Sequence, residues 1–372
     1  MSKEKRRVPK LRFPGFTEDW EQRKLESFLI EYTEKNPGNE DLPVLTSSRQ
    51  GLTKQEDHFG SVQRHDISDY NVIPLGFCTY RNRSDDKTFT FNINRIVSRG
   101  LVSKFYPVFD INNGNADFIT AYLNNNIGII KSLAVNAVGT SQVVLSLRTL
   151  RNIEVTLPSK MEQVAIGNCI RKLDIYITLH QRKLNNLKLK KKALLQKLFP
   201  KNGERYPELR FPGFTDAWEQ RKFKDIAFKR GKISEADLPY IEFEDINSGI
   251  GTLNKNILQK VGHKKGILFE AGDVLFGKLR PYLQNWLLCQ FAGIAVGDFW
   301  VLQPQNVSSA FLYYLIQSEA YQSVANISSG TKMPRSSWPL VSETLFSIPK
   351  YKEANMIGEF FLLIDRTITL HQ

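Results

Sequence analysis

The chain has 372 residues, which is enough for two or three domains of about 150 residues each. Its residues are 41% hydrophobic and 11% aromatic, so wholesale disorder is excluded. The net charge is +13, and most of it lies in two segments: residues 1–10 carry a net +4, and residues 182–201 hold eight basic residues and no acidic one. Because the rest of the chain is close to neutral, charge favours a nucleic-acid partner only modestly over a solvated surface.

Three further features restrict the class of protein. The cysteines (Cys78, Cys169 and Cys289) lie far apart without a CxxC pair, which argues against a disulfide scaffold or a cysteine zinc site and fits a reducing cytoplasm. The N-terminal MSKEKRRVPK is charged and lacks the apolar core of a signal peptide. No apolar run approaches the ~20 residues of a membrane span. The sequence therefore predicts a cytoplasmic protein without membrane contact.

In chain order, the patterns predict two mixed α/β bodies. Alternating apolar stretches predict strands in the first body at residues 71–80, 88–93 and 143–147, and the stretch 117–126 takes the place of a helix. Residues 161–199 form the clearest helix, which Pro200 ends. The second body has strand patterns at residues 240–246, 272–279 and 294–304 and a helical pattern at residues 311–325.

The long helix carries a heptad seam. Apolar and other seam residues alternate in steps of four and three: Ile166, Ile170, Leu173, Ile177, His180, Leu184, Leu187, Lys191, Leu194 and Leu198. A second seam near the end of the chain has the same register: Ile357, Phe361, Ile364, Ile368 and His371. We expect the two seams to pack as an antiparallel coiled coil, a rod of roughly 55 Å with one body at each end. The alternative is that each helix packs on its own body.

The ends of the two halves repeat. LRFPGFTEDWEQRK at 11–24 returns as LRFPGFTDAWEQRK at 209–222, and IGNCIRKLDIYITLHQ at 166–181 matches IGEFFLLIDRTITLHQ at 357–372. The middles, 25–138 and 223–329, align poorly apart from a turn glycine, Gly76 and Gly272. A period near 195 residues is far too long for a solenoid. This pattern indicates a duplicated unit, each copy being a variable globular body followed by a helix.

Catalytic motifs have no support. A DNA amino-group methyltransferase would need a Pro-Pro dipeptide, and none occurs; a dinucleotide GxGxxG is also missing. GDVLFGKL at 272–279 is close to a P-loop, but Leu279 stands where the Mg²⁺-binding Ser/Thr would be. The five histidines lack metal-ligand spacing, and His180 and His371 share one seam position, which favours a structural role.

RFPGFTxxWEQRK at the start of each half, a variable body and a GT…LP lead-in to a long helix resemble the specificity subunit of type I restriction–modification enzymes. GDVLFGKLRPY at 272–282 and SSGTKMP at 328–334 are similar to segments of the target-recognition domains of those subunits. The resemblance covers nearly the whole chain. It implies two pseudo-symmetric target-recognition domains, each reading one half of a split, asymmetric DNA target, joined by long helices that form an antiparallel coiled coil.

The resemblance also implies partners and cofactors. The partners would be double-stranded DNA, two modification (methyltransferase) subunits docked on the helices, and restriction subunits that join the complex. The chain itself would bind no cofactor and no metal, since S-adenosylmethionine, ATP and Mg²⁺ would belong to partner subunits. It would be a non-catalytic subunit in bacterial defence. The family pattern calls for a second helix as long as the first, and this chain departs from it.

The resulting division of the chain has six parts. They are a conserved segment 1–24, recognition domain 25–158, spacer helix 159–200, the repeated segment 201–222, recognition domain 223–350, and a shortened spacer helix 351–372. One DNA turn is about 34–36 Å, so a rod of ~55 Å would set half-sites somewhat more than a turn apart.

Candidate DNA contacts are basic, amide or aromatic residues near predicted turns, because Arg or Lys reads guanine and Asn or Gln reads adenine. They are Arg81, Asn82, Arg83, Arg95 and Arg99 in the first body and Lys278, Arg280, Tyr282, Lys332 and Arg335 in the second. Each competes with the interpretation that it is a solvated surface residue. A phosphate contact is expected more often than a base contact.

Two other functions stay open from the sequence. One is a scaffold for protein partners without sequence-specific DNA reading, which a salt-dependent preference for one DNA site would exclude. The other is a self-contained DNA-modifying enzyme, which cleavage or methyl transfer by the chain alone would reveal.

Overall fold

The computed structural model describes residues 9–38, 41–61, 66–327 and 333–371. Contacts divide the chain into two units, Met1–Thr178 and Leu179–Gln372, and the division falls inside one long helix. The helices of the first part of the chain are α1 (Gln55–Phe59), α2 (Ala116–Asn125), α3 (Ile127–Asn136), α4 (Leu147–Arg151) and the long α5 (Lys160–Leu198). The strands are β1 (Glu21–Lys24), β2 (Leu29–Tyr32), β3 (Leu45–Ser48), β4 (Gly51–Lys54), β5 (Asn71–Pro74), β6 (Cys78–Tyr80), β7 (Arg83–Ser84), β8 (Phe91–Ile93), β9 (Arg99–Val102), β10 (Val108–Ile111), β11 (Val143–Val144) and β12 (Glu154–Leu157).

The second part of the chain has its own strands and helices. The strands are β13 (Glu219–Lys222), β14 (Ala227–Arg230), β15 (Ile233–Ser234), β16 (Asp237–Ile241), β17 (Ile246–Asn247), β18 (Thr252–Leu253), β19 (Val261–His263), β20 (Gly266–Phe269), β21 (Val274–Gly277), β22 (Trp286–Leu288), β23 (Gly293–Ala295), β24 (Phe299–Pro304) and β25 (Leu345–Ile348). The helices are α6 (Ser309–Leu315), α7 (Glu319–Ala325), α8 (Trp338–Glu343) and α9 (Tyr351–Thr369). Across the described residues, no helix combines the length and apolar composition needed to cross a membrane.

Both units contain the same four-stranded antiparallel sheet although their sequences diverge. Its order is β2-β10-β6-β8 in the first unit and β14-β24-β21-β22 in the second. Cys78 pairs with Phe109 in one sheet, and Val274 pairs with Leu302 in the other. The turn before the third strand of each order holds Gly76 at φ +88° and Gly272 at φ +91°, which a side chain would resist. The two glycines in the otherwise unalignable middles therefore mark one shared turn.

Outside that sheet the bodies differ. Besides β1–β12, which has a counterpart in the second unit, the described part of the first unit has three two-stranded pairs: β3–β4, β5–β9 and β7–β11. The second has a five-stranded sheet, β15-β20-β23-β16-β19, and the pair β17–β18. The helix predicted over 311–325 is two helices, since the Ser318 side chain accepts a hydrogen bond from the Tyr321 backbone and begins α7. The strand predicted over 143–147 is β11 followed by α4, because Ser146 caps that helix.

The repeated ends of the sequence lie together in each unit. β1 pairs with β12 and β13 pairs with β25, in the same register. In each unit, the RFPGF arginine forms a two-pronged ion pair with a glutamate in the first turn of the helix that follows the body, α5 or α9. Arg12 Nε and Nη2 lie 2.7 Å from the Glu162 carboxylate oxygens, and Arg210 Nε lies 2.7 Å from Glu353 Oε1. Both glutamate side chains are at most 2% exposed.

The two helices pack antiparallel within the second unit. The rings of His180 and His371 are 5.5 Å apart, and those of Phe199 and Phe361 are 6.3 Å apart. Residue numbers therefore increase along α5 in the direction in which they decrease along α9. Between these contacts, Lys191 Nζ lies 2.8 Å from the Asp365 carboxylate, which also accepts a hydrogen bond of 2.7 Å from the Tyr314 hydroxyl. Burial and the charge of Asp365 raise the pKa of Tyr314 far above its usual value, so the hydroxyl stays a donor.

The predicted seam is only partly buried. Leu198 is buried, and Leu184, Leu187 and Leu194 are half-buried. Leu173 and Ile177 are more than half exposed, and Ile170 is half-buried. The helices also pack on their own bodies, the alternative left open by the sequence: Ile166 lies against the core of the first unit, and Ile357 and Phe361 are buried in that of the second, with Ile364 against it. Ile368 is buried as well.

We predict that the second ion pair anchors α9 to its unit. Arg210→Met leaves the buried Glu353 carboxylate without its partner and should lower the free energy of unfolding by about 3–5 kcal/mol. Arg210→Lys, which keeps the charge, should cost less. Urea unfolding followed by circular dichroism measures this. Lys350→Ala removes an exposed pair with Asp216 and serves as the control, with little expected change. Equal midpoints for Arg210→Met and Lys350→Ala would contradict the anchoring role.

We also predict that Asp365 links α9 to α5 and α6. Asp365→Ala leaves the Tyr314 hydroxyl and the half-buried Lys191 without their acceptor, which should cost about 2–3 kcal/mol of unfolding free energy. Glu359→Ala on the exposed side of the same helix is the matched control. Thermal unfolding of both variants is the measurement, and indistinguishable midpoints would rule this linkage out.

Candidate functional site

The candidate basic residues of the two units follow equivalent strands. β6 and β21 hold the same position in the shared sheet. β6 ends at the buried Tyr80, and β21 ends one residue after the buried Phe276. Arg81, Asn82 and Arg83 leave the end of β6, and Lys278 and Arg280 leave the end of β21. The sheet thus fixes the backbone before the turn, while the residues after it are largely exposed.

In the first unit, Arg81 and Arg83 line a polar cleft of about 260 Å³. Its other lining residues are hydroxyl-bearing or charged: Ser47, Ser48, Arg49, Ser84, Asp85, Asp86, Thr88 and Thr90. The Asp86 carboxylate already has two partners: the Ser84 hydroxyl donates a hydrogen bond to it at 2.9 Å, and Arg49 forms an ion pair with it. The Ser84 hydroxyl and Arg49 hold the pKa of Asp86 well below its usual value. Asp86 therefore neutralises Arg49, and the second carboxylate of the cleft, Asp85, accepts a hydrogen bond from Gln142 at 3.0 Å. Among the described residues, Arg81 has no ion pair with either carboxylate.

Arg83 and Asn82 are held differently. The Arg83 guanidinium lies over the Phe105 ring, 4.0 Å from its centroid, which keeps the side chain extended without cancelling its charge. The Asn82 backbone donates to the Phe105 carbonyl and accepts from Leu145, so the turn is fixed from both sides. Asn82 Oδ1 is buried and has no hydrogen-bond partner within the described part of the chain. The turn thus offers two guanidinium groups, while the Asn82 amide oxygen is shielded from solvent.

The structure places Arg95 and Arg99 outside this cleft. Arg95 donates to Asp117 at 2.7 Å, and Arg99 forms an ion pair with Glu34. Because both charges are already compensated by carboxylates, these two arginines fit the interpretation as surface residues better than Arg81 does. Their assignment as DNA contacts stays a prediction.

In the second unit, three of the five candidates, Lys278, Arg280 and Arg335, lie close together. The Asp298 carboxylate forms ion pairs with Arg335 at 2.9 Å and with Lys278 at 3.5 Å. The Arg280 backbone donates to the Pro334 carbonyl, and Ser336 donates to the Lys278 carbonyl, so the segment after β21 is tied to residues 334–336. Burial acts to raise the pKa of Asp298, but Arg335 and Lys278 more than offset it, and the pKa lies below its usual value. Lys332 lies outside the described residues.

The Arg280 turn has an unusual backbone. Arg280 and Gln284 adopt left-handed conformations, at φ +49° and +58°, on either side of a 3-10 turn at Pro281–Leu283. Non-glycine residues in this region are strained, and such strain persists only where the surroundings impose it. Tyr282, at the turn, is 57% exposed. The turn therefore presents Arg280 and Tyr282 outward from a fixed base.

Sequence reasoning missed several residues of these two sites. Arg49, Phe105 and Asp298 lie far in the sequence from the turns they contact. Lys229 on β14 was missed as well; its Nζ lies 4.9 Å from the Trp338 ring centroid. Its only sequence signal is that it breaks the apolar pattern of a strand. Among the described residues, no group of three or more His, Cys, Asp or Glu side chains could hold a metal ion.

Comparisons with known proteins agree with the architecture. Residues 91–189 match the protein family described as Type I restriction modification DNA specificity domain. The chain is 21% identical over 261 residues to the type I restriction enzyme MjaVIII specificity subunit of Methanocaldococcus jannaschii, a match that covers 62% of this chain and 60% of that protein. The chain thus spans about three-fifths of the length of that curated relative.

A solved structure gives the fold. The crystal structure of the type I restriction–modification system S subunit from M. genitalium superimposes with a TM-score of 0.61 over 98% of this chain and 94% of that one, at 13% identity. The chain therefore has a specificity-subunit fold, of mixed helix and strand. The fold class and the resemblance inferred from the sequence are confirmed.

Proposed function

We propose that this chain is the DNA sequence-recognition subunit of a type I restriction–modification complex, reading a bipartite, asymmetric target with one half-site per unit. The observation that carries the proposal is the placement of an exposed basic turn at the same strand end of the same sheet in two bodies of unrelated sequence. A shared scaffold with different turns is what two different half-sites require. The match of residues 91–189 to a DNA specificity domain supports this reading.

The chemistry of the turns suits DNA. Arginine forms two-pronged hydrogen bonds to guanine, and the asparagine amide does so to adenine. In the first unit Arg81 supplies a guanidinium group, and in the second Arg280 does. The Asn82 amide oxygen is buried, so a two-pronged contact of Asn82 with adenine would need the turn to move. Lys278 and Arg335 share a single carboxylate, so this face keeps a net positive charge for phosphates.

The remaining parts of the proposal concern the complex. The chain acts as a non-catalytic subunit, and two modification subunits dock on α5 and α9, with restriction subunits joining through them. S-adenosylmethionine, ATP and Mg²⁺ are bound by those partners, and the complex works in the cytoplasm. The recognition domains are residues 25–158 and 223–350, and residues 159–200 and 351–372 form the spacer helices. A scaffold without DNA reading is the second candidate, and the exposed arginine turns argue against it.

We predict that the first unit reads one half of the target by itself. Replacing residues 25–138 with the corresponding body of a related subunit should change one half of the methylated sequence and leave the other intact. Sequencing of methylated bases in cells that express the chimera with its modification subunit gives both halves at once. A change in both halves, or in neither, would contradict modular reading.

We predict that Arg81 and Arg280 act on different halves of the target. Arg81→Ala and Arg280→Ala should each relax the preference for one base pair, by about 1–3 kcal/mol where the contact is to guanine, in opposite halves. The matched controls are Arg23→Ala and Arg221→Ala, at equivalent places on β1 and β13, where each arginine pairs with a glutamate two residues away. Methylation mapping is the measurement. A uniform loss at all sites would mean that these arginines bind phosphates.

A further inference from the structure

Lys229 is a half-buried lysine of the second unit for which the described residues provide no carboxylate partner. Lys229 lies on β14, at the edge of the four-stranded sheet, and is half-buried. Its Nζ sits over the face of Trp338, which packs edge-on against Trp300. In the part of the chain that the structure describes, Lys229 has no ion-pair or hydrogen-bond partner. A half-buried cation without a carboxylate is unfavourable unless another anion completes it.

Lys229 shares its side of the sheet with a candidate DNA contact. Lys229 pairs with Leu302, and Phe276 pairs with Trp300, so strand alternation puts Lys229, Trp300 and Lys278 on one side. Lys278 lies close enough to add to burial in lowering the pKa of Lys229. We call Lys229, Lys278, Arg280 and Arg335 the cationic face. Asp298 is the carboxylate found in contact with this face among the described residues, so its positive charges exceed its negative ones.

The position is not required by the shared sheet. In the first unit, the same place on β2 is occupied by Glu31, which pairs with Phe109 as Lys229 pairs with Leu302. An edge lysine that only discouraged strand pairing could extend into solvent. Lys229 instead lies on an aromatic ring that limits its motion and leaves its charge uncancelled.

We propose that Lys229 is a phosphate-binding residue of the second unit: it holds one phosphate of the DNA backbone against the cationic face and so positions the Arg280 turn over the bases. This inference rests on the proposed DNA-recognition function. In it, Trp338 sets the position of the ammonium group, and the phosphate supplies the counter-charge that the protein lacks. The contribution is to affinity and register, with no direct base discrimination.

The test is the salt dependence of DNA binding. The full chain, assembled with its modification subunit, is titrated onto labelled duplex DNA of about 30 base pairs by fluorescence anisotropy between about 50 and 300 mM salt. Lys229→Gln should weaken binding several-fold on every duplex and reduce the slope of log K against log salt by about 0.9, the loss of one phosphate contact. Lys229→Arg should keep the wild-type slope. Lys224→Gln, which removes an exposed lysine paired with Glu343, is the control and should also keep it.

The outcomes separate the two proposals. Wild-type complex without salt-dependent DNA binding would overturn the proposed function. Normal wild-type binding with an unchanged slope for Lys229→Gln would overturn the role of Lys229 alone, as would a loss confined to particular sequences, which would indicate a base contact. If Lys229→Gln perturbs the fold, Lys229→Met serves as the second variant, because its apolar side chain can still pack over Trp338. Lys229→Met also lacks the charge, so it should show the same reduced slope. Thermal unfolding of each variant shows whether the sheet is intact.

Discussion

The ion pair between the RFPGF arginine and a glutamate in the first turn of the following helix is the constraint on which each unit depends. Glu162 and Glu353 are buried, so each would be strongly unfavourable without the guanidinium that meets both of its oxygens. A carboxylate in a first helical turn also suits the helix dipole. The pair therefore fixes where each helix begins relative to the arm that precedes the body. The WEQRK strand, which follows that arm, pairs with the strand that leads into the helix, and so the body is closed between its own ends.

The sequence repeat marked the ends of each unit, but it did not predict that those ends pair with each other. The duplicated arm, 11–24 and 209–222, contacts the segment that leads into each helix, through a strand pair and the arginine–glutamate ion pair. The shared sheet was not visible, because a core demands apolar residues of suitable volume and not particular identities. Only Gly76 and Gly272 survive as a mark of it, since their positive φ admits few other residues. The seam of α9 was read as a helix–helix surface, yet Ile357 and Phe361 also fill the core of the second unit. Heptad spacing reports an apolar stripe and does not tell what covers it.

The site was predictable only where basic residues follow a strand pattern. Arg81, Lys278 and Arg280 became candidates in that way, and their contact with DNA stays a prediction. Which charges remain free depends on distant carboxylates: Asp117 compensates Arg95, and Asp86 compensates Arg49. Such pairs join residues more than 20 positions apart, so no local pattern reveals them. Lys229 differs from these arginines, because the role proposed for it depends on the absence of a carboxylate partner among its described neighbours.

If the proposed function holds, one structural arrangement can serve two different target sequences for a physical reason. Backbone hydrogen bonds of a sheet hold the strand end at a fixed place whatever side chains it carries. Residues after that end contribute little to the core, so they can change without a loss of stability. β6 and β21 supply such ends, and the turns after them differ in both residues and conformation: an Arg-Asn-Arg turn over Phe105 in one unit, a strained Arg280 turn beside Asp298 in the other. Under the proposed function, the repeated ends and the sheet provide stability and the turns provide specificity, so the two units can read different sequences while the fold stays the same.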